Sequence, residues 1–163
     1  MRALLVSFLA VAVFGPCAHA ADTQVDRVTL TGLAAISVVV ENVSPILDKS
    51  GLTTAAIETL SKARLRQAGI HVVPDANVYL YFRVTVGDPG ASVPLPYIVE
   101  LSLIQEVMLP RAIKTRMRMQ CPTWSVRRLG VASIDRVPAS VRDSVGDFVD
   151  QFIRAFRSVN PKP

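Results

Sequence analysis

Cysteine is almost absent from this chain, and what is missing narrows its chemistry first. Of 163 residues only Cys17 and Cys121 are cysteine, and only His19 and His71 are histidine. Cys17 and His19 fall in an amino-terminal leader, so the remaining chain has one cysteine and no internal disulfide. No Cys/His cluster has zinc-ligand spacing, and no metal or cofactor is expected. There is no Gly-x-Ser-x-Gly elbow and no glycine-rich phosphate loop. The close acid pairs, Asp143/Asp147 and Asp147/Asp150, share a helical polar face with Arg154, which points to a solvated surface. His71 sits alone in the short apolar run 70–73, where a hydrogen-bonded structural role is expected rather than a catalytic base. No apolar stretch reaches the roughly 20 residues that cross a bilayer. Charged residues are only 19% of the chain and hydrophobic ones 50%, a composition that argues against disorder.

The leader is legible from its three parts. Arg2 supplies a positive charge, Ala3 to Phe14 an apolar core, and Ala18-His19-Ala20 a small-x-small end. This predicts a cleavable signal peptide over 1–20 and a single domain over 21–163, periplasmic or secreted, with no transmembrane anchor after cleavage. Cys17 raises lipidation as an alternative, against which stands Pro16 at its side.

Periodicity organises the rest. A strand is expected from Leu33 to Val43 and a turn from Asn42 to Gly51. A helix follows from Leu52 to Ala68, with Ile57, Leu60, Ala63 or Arg64, and Leu65 as its stripe and Gly69 as a left-handed cap. Ile70–Val73 reads as a short strand closed by Pro74. Residues 77–87 alternate, with Leu80, Phe82 and Val84 on one face and Tyr79, Tyr81 and Arg83 on the other. Residues 88–92 read as a hairpin connection. Residues 97–109 alternate likewise, and 115–126 form the next strand, with Met117, Met119, Cys121 and Thr123 on one side. Cys121 there reads as a small buried apolar residue. Last comes an amphipathic helix through Val141, Val145, Phe148, Phe152 and Phe156, with Asp135 as candidate cap, Pro138 in the first turn and Asn160-Pro161 as the stop. The expected class is α+β: two layers, a mostly antiparallel sheet of four to five strands, and two helices on one face, in the order β-α-β-β-β-β-α.

The net charge is +5, with 18 Lys and Arg against 13 Asp and Glu. The excess is local: Arg111, Lys114, Arg116, Arg118, Arg127 and Arg128 span a stretch without an acid. With Trp124, the only tryptophan, they form the candidate binding set, since Trp and Arg are enriched at recognition hot spots. Trp124 as a core residue and the arginines as a solvated strand face are the alternatives. Nucleic acid is not an expected partner of an exported chain; an anionic envelope surface or an acidic protein patch is.

Several segments together carry a likeness: Val38-Val39-Val40-Glu41, Gly51-Leu52-Thr53, Ala68-Gly69-Ile70, Val78-Tyr79-Leu80-Tyr81-Phe82, Gln105-Glu106-Val107, Thr123-Trp124-Ser125, and Val149-Asp150-Gln151-Phe152-Ile153 before Asn160-Pro161-Lys162. Over nearly all of 21–163 the chain resembles a family of small exported bacterial proteins of uncharacterised function. The element order is similar to the periplasmic amino-terminal domain of the Tol-system translocation protein and to curli-secretion lipoprotein domains. That resemblance implies a docking or assembly module of the envelope, not an enzyme. Three functions stay open: a non-enzymatic binding module; a carrier of a small amphipathic ligand such as a lipid or cell-wall fragment, with Met117 and Met119 lining its cavity; and a small hydrolase built on His71.

Overall fold

The computed structural model describes residues 22–88, 94–109 and 117–161. The predicted leader, Cys17, most of the 88–92 connection, and the candidate residues Arg111, Lys114 and Arg116 lie outside them.

Four strands build one open sheet: β1 (Ser37–Val40), β2 (Tyr79–Val86), β3 (Leu95–Met108) and β4 (Arg118–Ala132), in spatial order β1-β2-β3-β4. β1 runs parallel to β2, and the β2–β3 and β3–β4 pairs are antiparallel. A parallel neighbour requires a long crossover, which the intervening helices provide. The expected strand at Ile70–Val73 is a correction. It contributes one parallel bridge, Val72 to Ile36, because only four residues separate the left-handed Gly69 from Pro74.

Among the described residues four helices form rather than the two expected: α1 (Gln24–Val28), α2 (Pro45–Lys49), α3 (Thr54–Gln67) and α4 (Val137–Val159). α1 is closed by a reciprocal capping box between Thr23 and Asp26. α2 occupies the expected turn, with Pro45 in its first turn and Gly51 at φ +81° beyond its end. α3 starts at Thr54, two residues later than expected, because Thr53 caps it: its hydroxyl accepts the Ala56 N–H at 3.0 Å. Its buried stripe is Ile57, Ser61 and Leu65; Ala63 is exposed. It ends in a Schellman motif: Ile70 N–H bonds to Leu65 C=O and Gly69 N–H to Arg66 C=O, with Gly69 at φ +82°.

α4 carries the apolar stripe its spacing demands. Val141, Val145, Phe148 and Phe152 are buried, but Phe156 is only half-buried, since it lies past the sheet's edge of cover. Asp135 does not cap this helix: Arg136 holds the cap position without a side-chain bond. Asp135 is held below the ordinary carboxylate range first by a hydrogen bond from Ser133. Asn160 closes the far end. Its amide donates to the carbonyls of Leu30 and Phe156, and its Oδ1 accepts from Gly32 N–H at 2.8 Å.

α1, α3 and α4 pack on one side of the sheet. There the inward residues Val38, Leu80, Phe82, Val84, Leu95, Tyr97, Val99, Leu101, Leu103, Trp124 and Val126 meet the helix stripes in one core. β4 runs six residues further than expected, to Ala132, and is bulged. Leu103 faces Trp124 but Ile104 faces Pro122, so Thr123 has no opposite number. A bulge shifts the side-chain parity by one. Trp124 and Cys121, three residues apart, therefore share the inner side.

Candidate functional site

The helices cover one face of the sheet, and no described helix covers the other. The register assembles that outer face as rows running across the strands. One row is Arg127, Glu100 and Arg83, extended by Glu41 just past β1. Glu41 stays in step because its N–H donates to Phe82 C=O at 2.9 Å. The charges alternate along it. Arg127 Nε stands 3.7 Å from Glu100 Oε2, Glu100 is the cross-strand partner of Arg83, and Arg83 Nε donates to Glu41 Oε2 at 2.9 Å. Glu41 also accepts from the Tyr81 hydroxyl at 3.0 Å, and the Arg83 guanidinium lies 5.9 Å from the Tyr81 ring centroid. The Arg83 hydrogen bond, then that of Tyr81, holds the Glu41 carboxyl below its ordinary value, and Glu41 in turn raises Arg83.

Rows of mixed apolar and hydroxyl side chains flank this charged one. On one side lie Leu129, Ile98 and Thr85, with Val131 beyond; on the other Ser125, Ser102, Tyr81 and Val39, then Ile104 and Tyr79. Leu129 is 69% exposed and Val131 62%.

The candidate basic residues that are described do not gather. Arg118 sits on the outer face at the far end of β4, paired with Glu106 at 2.9 Å. Arg127 is in the charge row. Arg128 lies on the inner side, where its guanidinium covers the Phe148 ring at 5.3 Å and donates to Ser144 Oγ and Asp147 Oδ2. Trp124 is 1% exposed, its ring edge-on to Phe152 at a centroid distance of 5.3 Å, so it belongs to the core and not to an exposed patch. On β3, Glu106 thus pairs with Arg118 and Glu100 with Arg127.

Trp124 reveals a residue that the sequence alone did not single out. Its Nε1 donates to Asp22 Oδ1 at 3.1 Å, and Asp22 also takes two hydrogen bonds from Arg27 at 2.8 Å and one from Gln151 at 3.4 Å. Burial pushes the Asp22 carboxyl up, but these four donors outweigh it and hold the group below its ordinary range. One carboxylate thus ties the segment before α1 to β4 and α4.

The other candidate chemistries find little geometry. His71 is exposed; its carbonyl accepts from Ile36 N–H, and among the described residues no Ser, Cys or carboxylate bonds its imidazole. Met117, just before β4, and Met119, at its start, are both exposed. A hollow of about 570 Å³ opens instead beside the end of α4, lined by Leu33, Gly69, Phe156, Arg157 and Asn160. Among the described residues, no group of three His, Cys, Asp or Glu converges on a metal position, and no helix is long and apolar enough to cross a membrane.

No protein-family model matches the chain, and no curated protein matches it. Among solved structures it is similar to a PelC dodecamer from Paraburkholderia phytofirmans, seen in two crystal forms, with 13% and 15% identity, TM-scores of 0.41, and coverage of 75% and 74% of this chain and 84% and 86% of that one. It is also similar to a minor lipoprotein from Acinetobacter baumannii, with 11% identity, a TM-score of 0.37, and coverage of 77% of this chain and 93% of the other.

Proposed function

We propose that this protein is a non-enzymatic exported binding module that docks a protein partner through the open face of its sheet. The observation supporting this reading is the pairing of exposed Leu129 and Val131 with the alternating row Arg127, Glu100, Arg83 and Glu41 on a face no described helix covers. Because the row neutralises itself, the face suits a mixed apolar and charged protein surface better than an anionic polymer. A photoreactive amino acid in place of Leu129 should form a covalent protein adduct in intact envelopes, while the same group in place of Arg154, on the exposed side of α4, should not. Equal adducts at both positions, or none at Leu129, would overturn the reading.

A second reading is a carrier of a small amphipathic anion. It rests on the hollow beside α4, where Arg157 donates to the Ala68 carbonyl and has no carboxylate partner among the described residues, close to Phe156 and Leu33. A fluorescent fatty acid that binds the wild type and Arg157→Ala equally would remove it.

A further inference from the structure

The outer face is complementary to itself. Reading across the strands from β4 to β1, the charge row runs Arg127, Glu100, Arg83, Glu41: plus, minus, plus, minus. An alternating row with an even number of members changes sign when reversed. A twofold axis lying in the interface, parallel to the strands and passing between β2 and β3, therefore sets each charge of one chain against its opposite on another. Glu100 meets Arg83 of the second copy twice over, and Arg127 meets Glu41 twice over.

The neighbouring row obeys the same operator in shape. It runs Ser125, Ser102, Tyr81, Val39. Reversed, it places Tyr81 of one copy over the dip at Ser102 of the other, and Val39 over Ser125. On the other side of the charges, Ile98 meets Thr85. The alternative twofold, along the row, would stack Arg127 on Arg127 and Glu100 on Glu100; like charges then reject it. Stacked sheets sit about 10 Å apart with strands within about 30° of each other. Sheet twist splays the edges, so the central contacts, Glu100 with Arg83 and Ser102 with Tyr81, lie closest to register.

We infer that the open face binds a second copy of this chain, forming an isologous dimer of face-to-face sheets. This rests on the partner reading above and names the partner; the charge row selects the orientation, and Leu129 and Val131, whose rows have no β1 member, lie at the rim of the contact.

Charge reversal by rows tests it. Arg83→Glu/Arg127→Glu makes the row wholly acidic, and Glu41→Lys/Glu100→Lys makes it wholly basic. In analytical ultracentrifugation the wild type should sediment at twice the chain mass at high concentration. Each variant alone should sediment as a monomer with an unchanged circular dichroism spectrum, and their equimolar mixture should recover the doubled mass. A wild type monomeric throughout overturns the dimer, as do variants that dimerise alone or a mixture that stays monomeric. The photoreactive group at Leu129 separates the two failures: an adduct with a different envelope protein leaves the partner reading standing, whereas no adduct removes both.

Discussion

Truncating Phe152 to alanine probes the core at its most connected aromatic. Phe152 is fully buried, edge-on to Trp124 at 5.3 Å and 6.4 Å from the Phe156 ring. Removing a buried phenyl ring costs about 3–5 kcal/mol in lost transfer energy and residual cavity. The pair with Trp124 places this site toward the upper end, because such pairs add about 0.5–1.5 kcal/mol beyond burial. A domain of this size has roughly 5–15 kcal/mol in total, so Phe152→Ala removes a third or more of it. At about 2–4 °C per kcal/mol for a chain near 150 residues, the melting temperature should fall by roughly 10–20 °C. Trp124, the only tryptophan, is the reporter, and its emission should shift red well below the wild-type transition. Two companions in the same helix calibrate the result: Phe156→Ala, half-buried, should cost distinctly less, and exposed Arg154→Ala should stay within about 0.5 kcal/mol. A Phe152→Ala melting temperature within 2 °C of wild type, or a larger loss from Phe156→Ala, would refute the account of α4 as the helix that closes the core.

Three further outcomes follow from named contacts. Asp22→Ala should cost about 1–3 kcal/mol by leaving the buried Trp124 Nε1 without an acceptor, read by urea unfolding. Because the Asp22 carboxyl is held below its ordinary value in the folded chain, its stabilisation is present above the unfolded value and lost as pH falls; the wild type should lose stability below about pH 4 by a step that Asp22→Ala lacks. Gly130→Ala should destabilise by roughly 1–3 kcal/mol in the same assay, because a Cβ there overlaps the Tyr97 ring lying across it. Arg83→Ala should leave the melting temperature nearly unchanged despite its bond to Glu41, since exposed ion pairs contribute about 0–1 kcal/mol.

The sequence carried the strand alternation, the α4 stripe, Pro138 in the first turn and the Gly69 cap, because each is a local rule written over a few residues. It also contained the signal for α1, a Thr23-x-x-Asp26 capping box, which is short enough to pass for loop. α2 hid behind Pro45 and Gly51, residues that punctuate a turn and a short helix alike. What periodicity could not supply was register. The bulge at Thr123 is marked only by the neighbouring Pro122, which signals an irregularity but not the register, yet it decides which side Cys121 takes. Asp22 was illegible for the same reason, since its donors come from positions 27, 124 and 151.

Register also explains why the described members of the basic stretch do not gather in one patch. Successive residues of a strand point to opposite faces, so Arg127 and Arg128 part at once. Arg127 meets Glu100 on the open face, and Arg128 crosses the Phe148 ring to Asp147 on the helical side. Arg118 finds Glu106 across the β3–β4 pair. Each described member of the set is thus matched by an acid that lies far away in sequence and adjacent in the fold. Among the described residues these pairings leave the open face nearly neutral but strongly patterned, and pattern, unlike net charge, depends on the orientation of what it meets. A face of that kind discriminates between two ways of docking the same surface, which a uniformly basic strip could not do.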